Sequence, residues 1–292
     1  MRAESKRLLP HEIFFGAMLL YMWLRLAFAA GPLASDTLVF FTLIVVNVVL
    51  IAAAQARPTR ARWLLRLGFY PVAMNVVFQQ LRTAIPAIQP QKADLALQAI
   101  DRSIVGGNLS MSLQAWTHPW LTEALSFCYL LFFPYLLFSL IWYFCGEMEL
   151  LKKFCAGLFS LYGIGFLGYA LVPAAGPYLA MPEDFAVAIT GYRITEWNDA
   201  IVRMGSNGVD VFPSLHCAVS AFFLAFDYQH RRWRFWLYLV PAIGLWISTI
   251  YLRYHYFIDV VAGFALAAVA LAIANRYASS ARLKEEPYVT RA

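Results

Sequence analysis

Two histidines in short polar segments are the residues of this chain whose type and spacing best suit chemistry. His216 lies in Phe-Pro-Ser-Leu-His-Cys (residues 212–217), and His255 lies in Arg-Tyr-His-Tyr-Phe-Ile-Asp (residues 253–259). Asp259 follows His255 by four residues, so on a helix the carboxylate and the imidazole share one face. A carboxylate that accepts one imidazole N–H leaves the other ring nitrogen basic. This arrangement is typical of a histidine nucleophile or general base.

The segment before His216 predicts a seat for a phosphate group. Proline is favoured in the first turn of a helix because its missing N–H costs nothing there, so Pro213 predicts a helix start. The free backbone N–H groups around Ser214 to His216 would then face an anion. Either histidine alone would more often be a packing residue. The pair, with a carboxylate placed in a membrane segment and Arg253 adjacent, favours a functional site.

The elements that must position these residues are membrane helices. The chain has 292 residues, of which 61% are hydrophobic and 14% charged, which argues against a soluble domain. Apolar segments of about 20 residues, the length that spans a bilayer, recur along it. Because open backbone groups cannot be satisfied in lipid, each segment predicts a helix. The predicted fold is an all-α polytopic membrane helix bundle with about eight spans, at residues 11–30, 37–55, 63–81, 121–145, 154–173, 213–229, 234–251 and 256–276.

The distribution of basic residues predicts the orientation. With eight spans, one side with its flanking turns carries fifteen of the 23 lysines and arginines, and the opposite loops carry six. Basic residues stay cytoplasmic, so both histidine segments are predicted on the non-cytoplasmic side of a plasma, inner or Golgi-type membrane. The positive charge therefore needs no nucleic-acid partner. The first apolar segment also imitates a cleavable signal peptide, and cleavage would leave the orientation unchanged.

One of the two long loops on the histidine side, residues 82–120, contains a predicted amphipathic surface helix that ends at Gly106. Its faces are formed by Leu97, Ile100 and Ile104 on one side and by Asp94, Gln98 and Asp101 on the other. We expect this helix to lie along the membrane interface.

The two histidine segments resemble the second and third signature motifs of the type 2 phosphatidic acid phosphatase superfamily. Pro213 to His216 matches P-S-G-H except for the leucine, and His255 to Asp259 matches H-x-x-x-D. The leucine and the YHYFID run look most like the inositol phosphorylceramide synthase branch and its bacterial relatives. The resemblance implies that His255 attacks phosphorus, Asp259 orients it, His216 protonates the leaving group, and Ser214 and its neighbours hold phosphate oxygens.

The chain departs from the phosphatase pattern in its cationic residues. The first motif, K-x6-R-P, is absent, and Thr249 stands where the third motif usually has arginine. Guanidinium groups pair well with phosphate oxygens, so arginines on the histidine side are the candidates to replace them. The predicted phosphate-binding residues are Arg253, Arg82 and Arg203 together with Ser214, and Arg193 is a further candidate.

The resemblance also implies a domain organisation, with N-terminal transmembrane helices at 1–69, a catalytic membrane domain at 70–277 and a cytoplasmic tail at 278–292. The implied function is a lipid phosphotransferase that moves a phosphoinositol-like head group from a phospholipid or lipid phosphate to a ceramide or diacylglycerol. The alternative is a simple phosphatase of a lipid phosphate or a polyprenyl pyrophosphate. A transporter is the non-enzymatic alternative, but its site would lie near the bilayer midplane.

No metal or cofactor is predicted. The four cysteines show no ligand spacing, and a zinc hydrolase would need H-E-x-x-H or a third ligand. Acyltransferases place four residues between histidine and aspartate, whereas three separate them here. The aspartate-rich metal motif of cytidine-diphosphate alcohol phosphotransferases is also missing from the sequence.

Overall fold

The computed structural model describes residues 8–282, with side chains through residue 277. Within that range the protein is all-helical, which confirms the predicted fold class. The α-helices are α1 (Pro10–Ala29), α2 (Ser35–Ala56), α3 (Arg60–Ile88), α4 (Asp94–Val105), α5 (Leu109–Ser112), α6 (Pro119–Leu130), α7 (Phe132–Phe144), α8 (Met148–Leu171), α9 (Pro177–Ala180), α10 (Arg193–Gly205), α11 (Leu215–His230), α12 (Arg232–Tyr251) and α13 (Phe257–Arg282). Short 3₁₀ turns occupy Leu113–Trp116 and Pro182–Asp184.

Six segments of the described chain are long and apolar enough to cross a membrane, which fits the predicted integral membrane protein. They are Pro10–Ala29, Ser35–Ala56, Pro119–Phe144, Met148–Leu171, Arg232–Tyr251 and Phe257–Tyr277. The other two predicted spans are helical as well. However, α11 has only 16 residues, and the apolar half of α3 is interrupted by Asn75, Gln79, Gln80 and Arg82. The count of eight spans stays a prediction.

The predicted span at 121–145 is divided into α6 and α7 at Leu131. Pro134 explains the division, because proline has no N–H to donate to the carbonyl of Leu130 one turn earlier. This break lies beside the candidate site, since Tyr129 and Phe132 both contact the His216 ring.

Helix α8 forms the centre of the bundle and is mostly buried. It packs against α1, α3, α11 and α13. Glycines allow the close approach: a Cβ on Gly163 would lie 2.7 Å from the Phe15 backbone nitrogen of α1, and one on Gly168 would lie 2.5 Å from Pro213. Helix α8 therefore supports the segment that leads into His216.

The predicted domain boundaries stay predictions, but two observations bear on them. Helix α1 shares the main hydrophobic core with α8, so the N-terminal segment 1–69 packs directly on the helices that carry the motifs. Helix α13 continues to Arg282, beyond residue 278 where the tail was expected to begin. Residues 283–292 of that tail lie outside the described part of the chain.

Candidate active site

A cavity of about 300 Å³ lies near the first turn of α11, the end of α12 and the start of α13, and both histidines line it. Much of its wall is aromatic and is supplied by Phe78, Tyr129, Phe132, Phe133, Tyr162, Phe166, Tyr169, Tyr178 and Tyr254. The ring centroids of His216 and His255 are 6.2 Å apart across it. The structure thus brings together two residues that are 39 positions apart in sequence.

A tight turn between α12 and α13 places His255. The backbone N–H groups of Tyr254 and His255 both donate to the Thr249 carbonyl, at 2.9 and 3.0 Å. Arg253 takes a left-handed conformation (φ 69°) to make this reversal. Backbone of this kind is uncommon for residues other than glycine, so the surrounding contacts must hold it.

Asp259 is fully buried beneath His255. Its Oδ2 atom lies 3.5 Å from His255 Nδ1, and the same oxygen accepts the Tyr256 N–H at 2.8 Å. The distance to the imidazole is long for a hydrogen bond but within ion-pair range. This arrangement turns Nδ1, rather than Nε2, towards the Asp259 carboxylate.

His216 lies in the first turn of α11, and this helix starts later than expected. Helix α11 begins at Leu215 rather than at Pro213, and Ser214 is its N-cap, accepting the Cys217 N–H at 3.4 Å. The His216 ring is half-buried against Tyr129 and Phe132, with centroid distances of 4.8 and 4.6 Å. An imidazole held between aromatic rings has few orientations open to it.

The predicted phosphate seat at the start of α11 is only partly free. The Ser214 N–H donates to the Asp259 carbonyl at 3.0 Å. Of the three N–H groups expected to face an anion, that of Ser214 is therefore already used. The contact between Ser214 and Asp259 also joins the two motif segments directly, and Gly263 permits it, because a Cβ there would lie 2.6 Å from the Ser214 carbonyl.

The three predicted phosphate-binding arginines lie outside the cavity lining. Arg253 is turned away: its guanidinium donates to the Val187 carbonyl and lies 4.0 Å from the centroid of the Phe185 ring. Burial lowers its pKa from the usual value. Arg82 and Arg203 lie at the rim and are exposed, Arg82 within 3.5 Å of the carbonyl of Ser206, a lining residue.

Two exposed arginines, Arg203 and Arg193, differ in how closely they pair with an acidic side chain. Arg203 pairs with Asp199 at 2.8 Å on the surface of α10, and that carboxylate raises the Arg203 pKa. Arg193, the further candidate, pairs weakly with Glu196 at 3.5 Å. Among the residues described, the lining itself holds no lysine or arginine. Any cation that meets a phosphate must therefore approach from the rim.

Helix α4 exists where predicted, but its acidic face is turned into the protein. Asp94 and Asp101 are buried, whereas Ile100 and Ile104 are 40% and 54% exposed. Leu97, expected with the exposed isoleucines, is buried with the acidic face. The amphipathic pattern predicted two faces of α4, and contacts with neighbouring segments determine which of the two faces is buried.

The two buried carboxylates of α4 hold the segments on either side of His255. Asp101 accepts the N–H groups of Phe257 and Ile258, at 2.7 and 2.9 Å, and so caps the start of α13. Burial raises the Asp101 pKa, and these backbone N–H groups oppose the rise. A carboxylate at a helix N-terminus also interacts favourably with the helix dipole. Asp101 therefore fixes the helix that carries Asp259.

Asp94 fixes a second segment, the proline-rich stretch after α8. It accepts the N–H groups of Ala175 and Gly176, at 3.1 and 3.0 Å, and the Tyr256 hydroxyl at 3.0 Å. Gly176 (φ 80°) fits against the Tyr254 carbonyl, which a Cβ would approach to 2.3 Å. The stretch from Pro173 to Tyr178 is thus a largely buried support for the His255 turn.

Asp210 is a cavity residue to which the sequence assigned no role. It lines the cavity with both histidines and accepts hydrogen bonds from the Ser206 hydroxyl and the Asn207 N–H. Burial raises its pKa above the ordinary value, while His255 and these hydrogen bonds oppose the rise. Its place six residues before His216, in the same segment, was the available signal.

Fold and site together define an integral membrane protein whose transmembrane helices enclose a buried histidine–histidine–aspartate cluster. The family model described as the PAP2 superfamily matches residues 95–273, more than half of the chain. The protein belongs to this superfamily, which confirms the resemblance carried by the two motifs. No solved structure matches it.

A relative of known name gives a narrower comparison. The phosphoinositol dihydroceramide synthase of Bacteroides thetaiotaomicron is 32% identical over 147 residues, which cover 45% of this chain and 48% of the relative. The match therefore spans about half the length of that protein. With the family, it supports a membrane lipid phosphatase or phosphotransferase.

Proposed function

We propose that this protein is a lipid phosphotransferase that carries a phosphoinositol-like head group on His255 from a phospholipid to a lipid alcohol. The observation that carries the proposal is the placement of His255, supported by Asp259, opposite His216 in one cavity. A nucleophile, its orienting carboxylate and a proton donor are what a two-step phosphoryl transfer needs.

The first step forms a bond between His255 Nε2 and phosphorus and breaks the bond from phosphorus to the oxygen of the donor's lipid alcohol. His216 gives its proton to that oxygen, and diacylglycerol leaves. Asp259 stabilises the positive charge that develops on the His255 ring, the usual role of a carboxylate behind a catalytic imidazole. The second step reverses the pattern: His216 takes the proton of the acceptor hydroxyl, whose oxygen attacks phosphorus, and the bond to His255 breaks.

Arg82 and Arg203 are proposed to hold the anionic head group at the rim. Both are exposed, and Ser206, beside Arg82, lines the cavity. Charged hydrogen bonds to phosphate are stronger than neutral ones. Ser214 would act indirectly, because its hydroxyl caps α11 and its N–H is bonded to Asp259.

Transfer to an alcohol, rather than hydrolysis, is supported by the character of the cavity. A phosphatase benefits from strong cationic capture of a small phosphate, and the described lining is rich in aromatic residues with no lysine or arginine. An apolar, covered site limits access of water to the phosphohistidine. The name of the Bacteroides relative points the same way for the matched half of its length. The proposed acceptor is a ceramide or a diacylglycerol, and no metal takes part.

The test is to trap the intermediate. Purified protein is mixed with a phospholipid labelled in its head-group phosphate, then quenched in base, because phosphohistidine is labile in acid. Wild-type protein should retain label, and His255→Ala should retain none and lose at least about 10³-fold in turnover. His230→Ala is the matched control, because His230 is half-buried at the opposite end of α11. Substantial turnover by His255→Ala would overturn the proposal.

The catalytic side is proposed to face away from the cytoplasm, on the basis of the basic-residue asymmetry. Single cysteines at Gly191 and Arg232, in a cysteine-free background, should differ in their labelling by an impermeant reagent added to intact cells. Gly191 should react and Arg232 should not. The reverse result would place the site on the cytoplasmic side.

A further inference from the structure

Helix α3 carries two uncharged polar side chains on the face that borders the cavity. Asn75 and Gln79 are both exposed, and both line the cavity. They are four residues apart, so they lie on one face of α3, one turn above the other. Polar side chains at membrane depth are costly unless they line a cavity or bind a partner. A ligand of the cavity would give these two amides such a partner.

The cavity opens between α3 and α7. The two helices approach each other at one end, where a Cβ on Gly68 would lie 3.9 Å from the Phe144 ring. At the other end the cavity separates them, with Asn75 and Gln79 on α3 and Phe132 and Phe133 on α7. Phe133 is 43% exposed. The cavity therefore has a side between α3 and α7 that is lined by exposed residues, where a lipid ligand could enter.

The hydrogen-bonding capacity of the two amides is largely unused. Asn75 donates through Nδ2 to the Pro71 carbonyl at 2.8 Å, which leaves its Oδ1 atom as an acceptor. Gln79 makes no side-chain hydrogen bond to any described residue. The pair can thus both accept from and donate to a ligand. Much of the remaining wall of the cavity is aromatic and suits acyl chains.

We propose that Asn75 and Gln79 bind the polar head of the acceptor lipid and select an acceptor with an amide beside its hydroxyl. This inference rests on the proposed transferase function and names its acceptor class. An amide-linked lipid alcohol offers N–H and O–H donors and a carbonyl acceptor, which match the two carboxamides. A diacylglycerol offers one hydroxyl and ester carbonyls, so it leaves a carboxamide acceptor without a donor, and such unpaired groups reduce affinity.

The test compares ceramide and diacylglycerol as acceptors in two single variants and one double variant of the purified full-length protein. Asn75→Leu and Gln79→Met remove the amides with little change of volume, singly and together. Gln80→Met is the matched control, because Gln80 is the neighbouring glutamine and does not line the cavity. Each protein receives the same labelled donor phospholipid with a ceramide or with a diacylglycerol of matched chain length.

The double variant should raise the KM for ceramide by about tenfold or more, as two lost hydrogen bonds predict. The KM for diacylglycerol should change by less than about twofold, because the two amides would make at most one weak hydrogen bond with this lipid. Gln80→Met should resemble wild type. An unchanged ratio of ceramide to diacylglycerol transfer, or an equal effect from Gln80→Met, would overturn the assignment.

A binding measurement separates this inference from the transferase proposal. Fluorescent short-chain ceramide and diacylglycerol analogues are titrated into His255→Ala protein with and without the two α3 substitutions. Preferential ceramide binding that the substitutions remove supports the acceptor site, even if wild-type protein transfers to neither lipid. Equal binding of both analogues, unaffected by the substitutions, would contradict the site while leaving the phosphohistidine experiment to judge the transfer.

Discussion

A buried carboxylate lies beside each end of α11, Asp227 on α11 itself and Asp259 on the neighbouring α13, and their surroundings contrast. At the end away from the cavity, Asp227 has both oxygens occupied: Oδ1 accepts from Arg234 Nε at 2.9 Å and from the Tyr143 hydroxyl, and Oδ2 accepts from the Tyr135 hydroxyl at 2.7 Å. Arg234 in turn donates to Ser139 at 2.6 Å. Here both carboxylate oxygens are bonded and aromatic rings surround the guanidinium, of which only Nη1 has no hydrogen-bond partner among the described residues.

At the cavity end, Asp259 is equally buried but less completely bonded. Its Oδ2 serves the Tyr256 N–H and lies 3.5 Å from His255, while its Oδ1 has no hydrogen-bond partner among the described side chains and backbone. A buried carboxylate with spare capacity is unfavourable for folding but can respond when charge develops on its neighbour. The comparison fits the proposed roles, in which the Asp227–Arg234 pair supports the bundle and Asp259 acts on the His255 ring.

Exchanging the two aspartates for asparagine is the most direct way to break this comparison. Asp259→Asn should lower kcat by about 10²-fold or more, because the imidazole loses its charged support. Asp227→Asn should instead lower stability by about 3 kcal/mol, since it leaves Arg234 buried without a carboxylate. Thermal unfolding in detergent and turnover of a labelled phospholipid measure the two effects. If both variants lost the same activity for the same loss of stability, the two aspartates would not differ in role.

Removing His216 sharpens the assignment of roles within the cavity. His216→Ala should lower donor cleavage by about 10²- to 10³-fold, because the leaving alcohol loses its proton donor. A donor with a more acidic leaving alcohol needs that proton less and should recover most of the rate. Parallel rates for both donors in wild type and variant would argue that His216 only packs against Tyr129 and Phe132.

The arginines test whether charge at the rim acts on the donor. Arg82→Ala and Arg203→Ala should each raise the donor KM by about fivefold and leave kcat nearly unchanged, because they bind the head group before and during reaction alike. Arg253→Ala should act differently and lower the melting temperature, since its guanidinium holds the Val187 carbonyl and the Phe185 ring. If Arg253→Ala were the only one of the three variants to raise the donor KM, Arg253 would be the phosphate-binding arginine.

The smallest expected effect is that of a chelator. Among the described residues, no three or more histidine, cysteine, aspartate or glutamate side chains lie together in a way that could hold a metal ion. Turnover should stay within experimental error after dialysis against a strong chelator, and added magnesium or zinc should not raise it. Loss of activity that a divalent ion restores would require a metal in the reaction.

The prediction of a polytopic helical membrane protein followed from local features of the chain. Apolar runs of sufficient length form helices in a bilayer because their backbone groups have no other partner. The four-residue spacing of His255 and Asp259 predicted a shared helical face, and this was wrong, because His255 precedes α13 and the turn after α12 brings its ring to 3.5 Å from Asp259. The order and separation of the two motifs sufficed to recognise the superfamily.

The tertiary structure decided which way each amphipathic or charged residue turned. The spacing of Asp94 and Asp101 establishes a face of α4, but only the loop at Ala175 and the start of α13 explain why that face is buried. Arg253 adjoins the motif in sequence, yet the reversal of the chain directs it to Val187. Helical periodicity defines faces along one element, whereas burial and bonding partners depend on contacts between residues distant in sequence, and those contacts also made the cavity between α3 and α7.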